Sequence, residues 1–247
     1  MTDLHTHILY GIDDGSENIE MSVEMIKMAK NNGTNNIVLT PHCNIPDAYT
    51  NYMNDVIVGR FEKLKRTIKE MEIDVNLYLG MEVYASDNID RLIMDGAIIT
   101  LNRSRYLLIE FPFMADPLWV THILAKVHQI GLIPLLAHPE RYIYVQEFPY
   151  MVFDWVNSGC LLQINRGSIV GRFGDQARDI AIMLMENNMV TAVASDAHSP
   201  YKRTPILNDA YDWVSKHFGS QYAQKIFVEK PTMLLNDQPI KRRRKEF

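Results

Sequence analysis

Apolar residues recur along this chain in two alternating rhythms. Short runs at Ile37–Thr40, Val75–Leu79, Tyr106–Ile109, Leu132–Ala137, Cys160–Ile164 and Val190–Ala194 have the length and content of buried strands. A further short strand is predicted around Ile98–Leu101. Between the strands the spacing turns helical. Ile57, Phe61, Leu64, Ile68 and Met71 form one apolar stripe. Similar patterns predict helices over 17–32 (capped by Ser16, stopped by Gly33), 88–95, 116–130, 146–158, 175–189, 205–218 and 220–229. Strands alternating with helices imply a mainly parallel α/β sheet, open or closed into a barrel, within a single domain.

The polar residues carry a second pattern. His5 and His7 stand two apart in a short opening strand, so both imidazoles leave one face. Asp13 and Asp14 follow in a turn flanked by Gly11 and Gly15. Elsewhere each unusual polar residue ends a strand: His42, Glu82, Glu110, His138, and the pair Asp196 and His198. In a parallel barrel those ends share one rim, where such folds place their chemistry. Four or five histidines and several carboxylates on one rim suffice for two or three first-row cations. Mixed nitrogen and oxygen donors favour manganese, iron or zinc. Between two such ions a bridging water would ionise near neutral pH and become a nucleophile, which makes hydrolysis of a phosphate ester the expected reaction. A lone histidine after a strand is usually structural, so the weight rests on the paired motifs and on their convergence. His122, His128 and His217 lie in or near helices and read as structural or exposed.

Arg141, in His138-Pro139-Glu140-Arg141, is a candidate phosphate clamp, because guanidinium matches phosphate oxygens bidentately. Lys202 and Arg203 are further candidates. Cys160 and Arg166 also satisfy Cys-x5-Arg, the signature of cysteine-dependent phosphatases. That chemistry needs a curled loop of N–H groups around phosphate. The intervening Leu-Leu-Gln-Ile-Asn reads instead as an extended strand, so the match is treated as accidental.

Composition narrows the partners. The chain is 47% hydrophobic and 22% charged, with a formal charge of -5. Five of its 25 basic residues and one of its 30 acidic residues lie in 241–247. An acidic body argues against a nucleic-acid surface and suits a protein that gathers cations. No apolar run is long enough for a signal peptide or a bilayer span, and two cysteines without a CxxC fit a reducing cytoplasm.

His5-Thr-His-Ile-Leu-Tyr-Gly-Ile-Asp-Asp-Gly15, Thr40-Pro-His42, Gly80-Met-Glu82, His138-Pro-Glu-Arg141 and Ser195-Asp-Ala-His198 together resemble the PHP superfamily. More closely, they resemble the manganese-dependent bacterial protein-tyrosine phosphatases of capsule and exopolysaccharide operons. The resemblance covers the chain to about residue 236 and implies a distorted (β/α)7 TIM-like barrel, leaving 237–247 as a basic tail expected to be flexible. It implies His5, His7, Glu82 and Asp196 at one ion, and Glu82, Glu110 and His138 at a second. Asp14, His42 and His198 would hold a third. It further implies, as substrate, the phosphotyrosine tail of a tyrosine autokinase, with Arg141 and Arg203 on the phosphoryl group and no covalent phosphoenzyme. Asp13, left without a ligand, is expected to brace the turn or a histidine. Two departures stand out: Tyr10 replaces a frequent Pro, and Arg166 replaces a small residue between Asn165 and Gly167, where an added cation could touch substrate. The competing functions are a small-molecule phosphatase of the histidinol-phosphate type and a non-catalytic kinase-docking module.

Overall fold

The computed structural model describes residues 1–240. Its strands are β1 (Thr2–Thr6), β2 (Asn36–Leu39), β3 (His42–Cys43), β4 (Asn76–Leu79), β5 (Glu82–Tyr84), β6 (Tyr106–Glu110), β7 (Ile133–Ala137), β8 (Leu161–Asn165) and β9 (Val190–Ala194). All pair in parallel, in the orders β1-β2-β4 and β3-β5-β6-β7-β8-β9. Two breaks account for the two sheets. Thr40-Pro41 separates β2 from β3, and Gly80-Met81 separates β4 from β5. Pro41 has no N–H to offer a ladder. At Gly80 a side chain would press on Leu101, whose nearest atom lies 3.0 Å from the ideal Cβ position. Joined across these breaks, the segments make seven staves.

The barrel closes where its first and last staves meet. The N–H of His7 donates to the Ala197 carbonyl at 2.8 Å, and that of Asp196 to the His5 carbonyl at 2.9 Å. Asp3 staples the same seam, its Oδ1 accepting the N–H of Ser195 at 3.0 Å. The helices are α1 (Ile19–Asn31), α2 (Asp55–Glu70), α3 (Ile89–Met94), α4 (Pro117–Gln129), α5 (Ile143–Glu147), α6 (Met151–Asn157), α7 (Arg166–Ile169), α8 (Asp175–Glu186), α9 (Asn208–Phe218), α10 (Ser220–Gln224) and α11 (Lys230–Leu235). One core packs the outer strand faces against the helices, and a second fills the barrel from Leu4, Val38, Leu108, Leu135, Leu161 and Ala192. Among the described residues no helix is long and apolar enough to cross a membrane.

Several predicted elements change. Residues 98–100 form no strand; Ile98 and Leu101 are buried, but a 3-10 turn at Leu101–Arg103, with Asn102 and Arg103 at positive φ, takes the chain out of ladder geometry. The helix expected over 146–158 is two, α5 and α6, parted at Phe148-Pro149. Asn18 rather than Ser16 caps α1, its side chain accepting from the Met21 N–H. The stripe of α2 is buried at Ile57, Phe61, Leu64 and Ile68, whereas Met71 is the C-cap and 45% exposed. Near the C-terminus Asp237 pairs with Arg105, and the Gln238 carbonyl accepts the Tyr106 hydroxyl at 2.6 Å. The basic stretch Lys241–Lys245, expected as a tail, lies outside the described residues.

Candidate metal centre

The strand ends and the turn after β1 bring nine nitrogen- and oxygen-bearing side chains to one nest, buried except for partly buried His42 and exposed Asp14: His5, His7, Asp14, His42, Glu82, Glu110, His138, Asp196 and His198. Glu82, opening β5, is its hub. Its Oε1 lies 3.1 Å from His5 Nε2 and 3.1 Å from His138 Nε2, while its Oε2 lies 3.2 Å from His7 Nε2 and 2.9 Å from His42 Nδ1. His5 Nε2 and His7 Nε2 face each other at 3.2 Å, each 3.5 Å from Asp196 Oδ1. Glu110 Oε1 stands 3.6 Å from His138 Nε2. Asp14 Oδ1 lies 3.6 Å from His42 Nε2 and 3.5 Å from His198 Nε2. His138 at +33° and Asp196 at +52° adopt positive φ, which turns both side chains inward from their strand ends.

The charges fit cations. Burial alone would raise the Glu82 and Asp196 carboxyls, yet the histidines around them hold both well below the usual range. Glu110 goes the other way, pushed well up by burial and by the Glu82 and Asp196 carboxylates. Burial brings His138 down to about 4. Asp196 Oδ1, Glu82 Oε2, His42 Nδ1 and His198 Nε2 are all buried and make no hydrogen bond. Lone pairs crowded at about 3 Å without donors between them are what a divalent ion relieves, since its charge favours every ionised carboxylate and neutral imidazole.

A further set of residues orients these. Asp196 Oδ2 can only accept, so Asn165 presents its Nδ2 there at 2.7 Å. Asn165 Oδ1 then takes Gln163 Nε2 at 2.8 Å, which leaves Gln163 Oε1 to accept from His5 Nδ1 at 2.9 Å. The relay puts the His5 proton on Nδ1 and frees Nε2 as a ligand. Asp13 does the same for His7, its Oδ2 2.7 Å from Nδ1, and it also accepts the N–H groups of Gly15 and His42. Asp13 therefore braces both the turn and a histidine. Gln163 and Asn165 were not foreseen, although two polar residues at i and i+2 within a buried strand repeat the cue that marked His5 and His7. Gln163→Leu is expected to weaken metal affinity about 10–100-fold, measured by titrating metal into stripped protein, with the barrel still folded by circular dichroism.

The arginines divide. Arg141 Nη1 donates to Asp196 Oδ2 at 3.2 Å, and its guanidinium stacks between Phe113 and Phe173. Arg203, at positive φ with its carbonyl bonded to the His198 N–H, pairs with the same oxygen. Its buried Nε makes no hydrogen bond. Both therefore border the nest with N–H groups to spare. Arg166 does not. Its Nε donates to Asp209 Oδ1 at 2.9 Å, a second nitrogen pairs with Asp209 Oδ2, and a third reaches Thr204. The first turn of α9 claims that cation before the rim can. Lys202 is exposed. In the Cys-x5-Arg match the intervening residues are β8 itself, and burial pushes the other thiol, Cys43, up to about 12.

A nest of nitrogen and oxygen donors at the C-terminal rim of a closed parallel barrel defines a metal-dependent hydrolase. The chain belongs to the family described as capsular polysaccharide synthesis, CpsB/CapC, which matches residues 1–236. It is 33% identical to the tyrosine-protein phosphatase YwqE of Bacillus subtilis, over 99% of this chain and 98% of the relative. With the tyrosine-protein phosphatase CpsB of Streptococcus pneumoniae it shares 30% identity over 97% of this chain and 100% of the relative. Among solved structures it superposes, with a TM-score of 0.91 and 32% identity, on a chain from the crystal structures of YwqE and CpsB, described as metal-dependent tyrosine phosphatases; the match covers 98% of this chain and 97% of that one. A lactonase from Listeria monocytogenes, at 12% identity and a TM-score of 0.57, shares the fold.

Proposed function

We propose that this protein is a metal-dependent protein-tyrosine phosphatase that removes phosphate from phosphotyrosine on the tail of a bacterial tyrosine autokinase and so regulates capsular or exopolysaccharide synthesis. The observation that carries the reading is the single nest around Glu82, shared by four histidines within 3.2 Å. We assign it manganese, with His5, His7, Glu82 and Asp196 at one ion, Glu82, Glu110 and His138 at a second, and Asp14, His42 and His198 at a third. Donor chemistry without thiolate supports manganese, iron or zinc over softer metals. The cytoplasm is the compartment we infer, since Cys43 and Cys160 are both free thiols.

When bound, the ions acidify water near neutral pH and neutralise charge on the phosphoryl oxygens. The chain does the rest. Gln163 and Asp13 hold His5 and His7 in their ligating tautomers. Asp196 fixes Arg141 and Arg203 through Oδ2 and keeps Oδ1 for the metal side. Their remaining N–H groups meet the phosphoryl oxygens as charge builds in the transition state. A tyrosyl leaving group, with a pKa of about 10, needs little further protonation. No side chain takes the phosphoryl group covalently.

The test is hydrolysis of a phosphotyrosine peptide by stripped protein, with Mn²⁺, Zn²⁺ or Mg²⁺ added back and histidinol phosphate as the competing substrate. Activity should vanish on chelation, return with Mn²⁺ and favour the peptide. Cys160→Ser should keep turnover within about twofold, because nothing in the reaction passes through that thiol. Activity that survives chelation but dies in Cys160→Ser would overturn the reading.

A further inference from the structure

An aromatic ring fixed at the border of a polar nest offers a flat apolar face to whatever the nest binds. Phe113, in the loop between β6 and α4, is 38% exposed, yet it is held firmly. Its carbonyl accepts the Ile143 N–H at 3.0 Å, and its ring meets the buried Tyr142 edge-on at 5.8 Å. Tyr142 is fixed in turn, its hydroxyl donating to the Ala137 carbonyl at 2.8 Å and accepting the Phe111 N–H at 3.0 Å. The Phe113 ring lies nearly parallel to His138, 9° between planes and 6.2 Å between centroids, and 5.1 Å from the Arg141 guanidinium carbon. Tyr49 stands over His42 in the same way, at 9° and 6.0 Å. His42 and His138 both face Glu110, at 3.8 and 3.6 Å, so the two rings stand at histidines on either side of that carboxylate.

We propose that Phe113 is a specificity residue for aryl phosphates: its exposed surface receives the ring of a phosphomonoester whose phosphoryl group is held by Arg141 and the metal side of His138. This rests on the phosphatase reading above and deepens it by naming the group that tells an aromatic ester from an alkyl one. The chemistry follows from position. A phosphate drawn to Arg141 and to the ion proposed at His138 has the Phe113 ring as its neighbouring wall. An aromatic substituent gains offset or edge contact with that ring, whereas an alkyl substituent gains little. The backbone bond to Ile143 and the Tyr142 contact hold the ring in place before substrate arrives, so little ordering is needed on binding.

Non-hydrolysable phosphonates separate recognition from the leaving group. Dissociation constants for phenylphosphonate and methylphosphonate would be measured by calorimetry on metal-loaded protein. Phe113→Ala is expected to weaken phenylphosphonate about tenfold more than methylphosphonate, roughly 1.4 kcal/mol of lost discrimination. Phe113→Leu, which keeps most of the volume and so guards against misfolding, should show the same bias at about threefold. Phe173→Ala removes the ring on the other side of Arg141, 4.3 Å from its guanidinium carbon, and should weaken both ligands in parallel. Equal weakening of both phosphonates in Phe113→Ala and Phe113→Leu would overturn the proposal and leave Phe113 as a prop for Arg141. The phosphatase reading fails separately, if the unmodified holoenzyme does not hydrolyse a phosphotyrosine peptide.

Discussion

Glu82→Gln is expected to lower phosphotyrosine-peptide turnover by about 10³-fold, equivalent to roughly 4 kcal/mol of transition-state stabilisation. The substitution keeps shape and removes charge. Glu82 sends one oxygen to His5 and His138 and the other to His7 and His42, so no other residue joins as many members of the nest. An amide presents a donor on one side, and an N–H cannot face a cation. The ions proposed on either side of Glu82 should therefore be lost together, which elemental analysis of the purified variant would show as a fall of more than one ion per chain. Unchanged turnover with unchanged metal content would remove Glu82 from the centre. Circular dichroism matching the parent would show that the loss is chemical rather than structural.

Gly15→Ala should be nearly as damaging by a different route. A Cβ at Gly15 would sit 2.0 Å from the His7 carbonyl oxygen and 2.4 Å from the His7 Cβ. Those are atoms of the closing seam, held by the Ser16 N–H on the His7 carbonyl at 2.9 Å and by the His7 N–H on Ala197. Neither can step aside cheaply. Relief has to come from the turn, which carries Asp13 and Asp14 away from His7, His42 and His198. Overpacking of this kind costs about 1–3 kcal/mol or more. A displacement of about 1 Å in the turn costs on the order of 10²-fold in rate. Thermal denaturation and turnover should fall together, and metal affinity should fall most for the ion nearest Asp14. A variant with parental melting temperature and rate would show that the turn has room the geometry denies.

How much of this was legible beforehand depended on which signal each residue carried. The metal-side residues announced themselves because histidine and carboxylate are out of place at the end of an apolar strand, and because His5 and His7, or Asp196 and His198, repeat at the strand period. Gln163 and Asn165 carried the same period inside Leu161–Asn165, but neutral amides in a buried run look like ordinary strand polarity. Their meaning lies in a hydrogen-bond chain that crosses from β8 to β1 and β9. Arg166 illustrates the reverse. Sequence placed a cation near the rim, but only the packing of α9 shows Asp209 within reach to claim it. The barrel followed from alternation, whereas its local errors came from apolar runs too short to distinguish a strand from a buried turn at 98–101, and from Pro149, which divides a helix that periodicity alone reads as continuous.

The seam between β1 and β9 has a consequence for biogenesis. The ligands proposed on either side of it, His5 and His7 from the first stave and Asp196 and His198 from the last, are about 190 residues apart in synthesis. A nascent chain that has not yet released β9 and the turn after it from the ribosome lacks Asp196, one of the four donors proposed for the first ion, and His198, one of the three proposed for the third, so tight loading must wait for the complete barrel. Metal then binds the closed state and not the open one, and an ion at 100 times its dissociation constant adds about 2.7 kcal/mol to closure. The cell's supply of the cation thus bears on how much folded protein persists, before it bears on how fast that protein works.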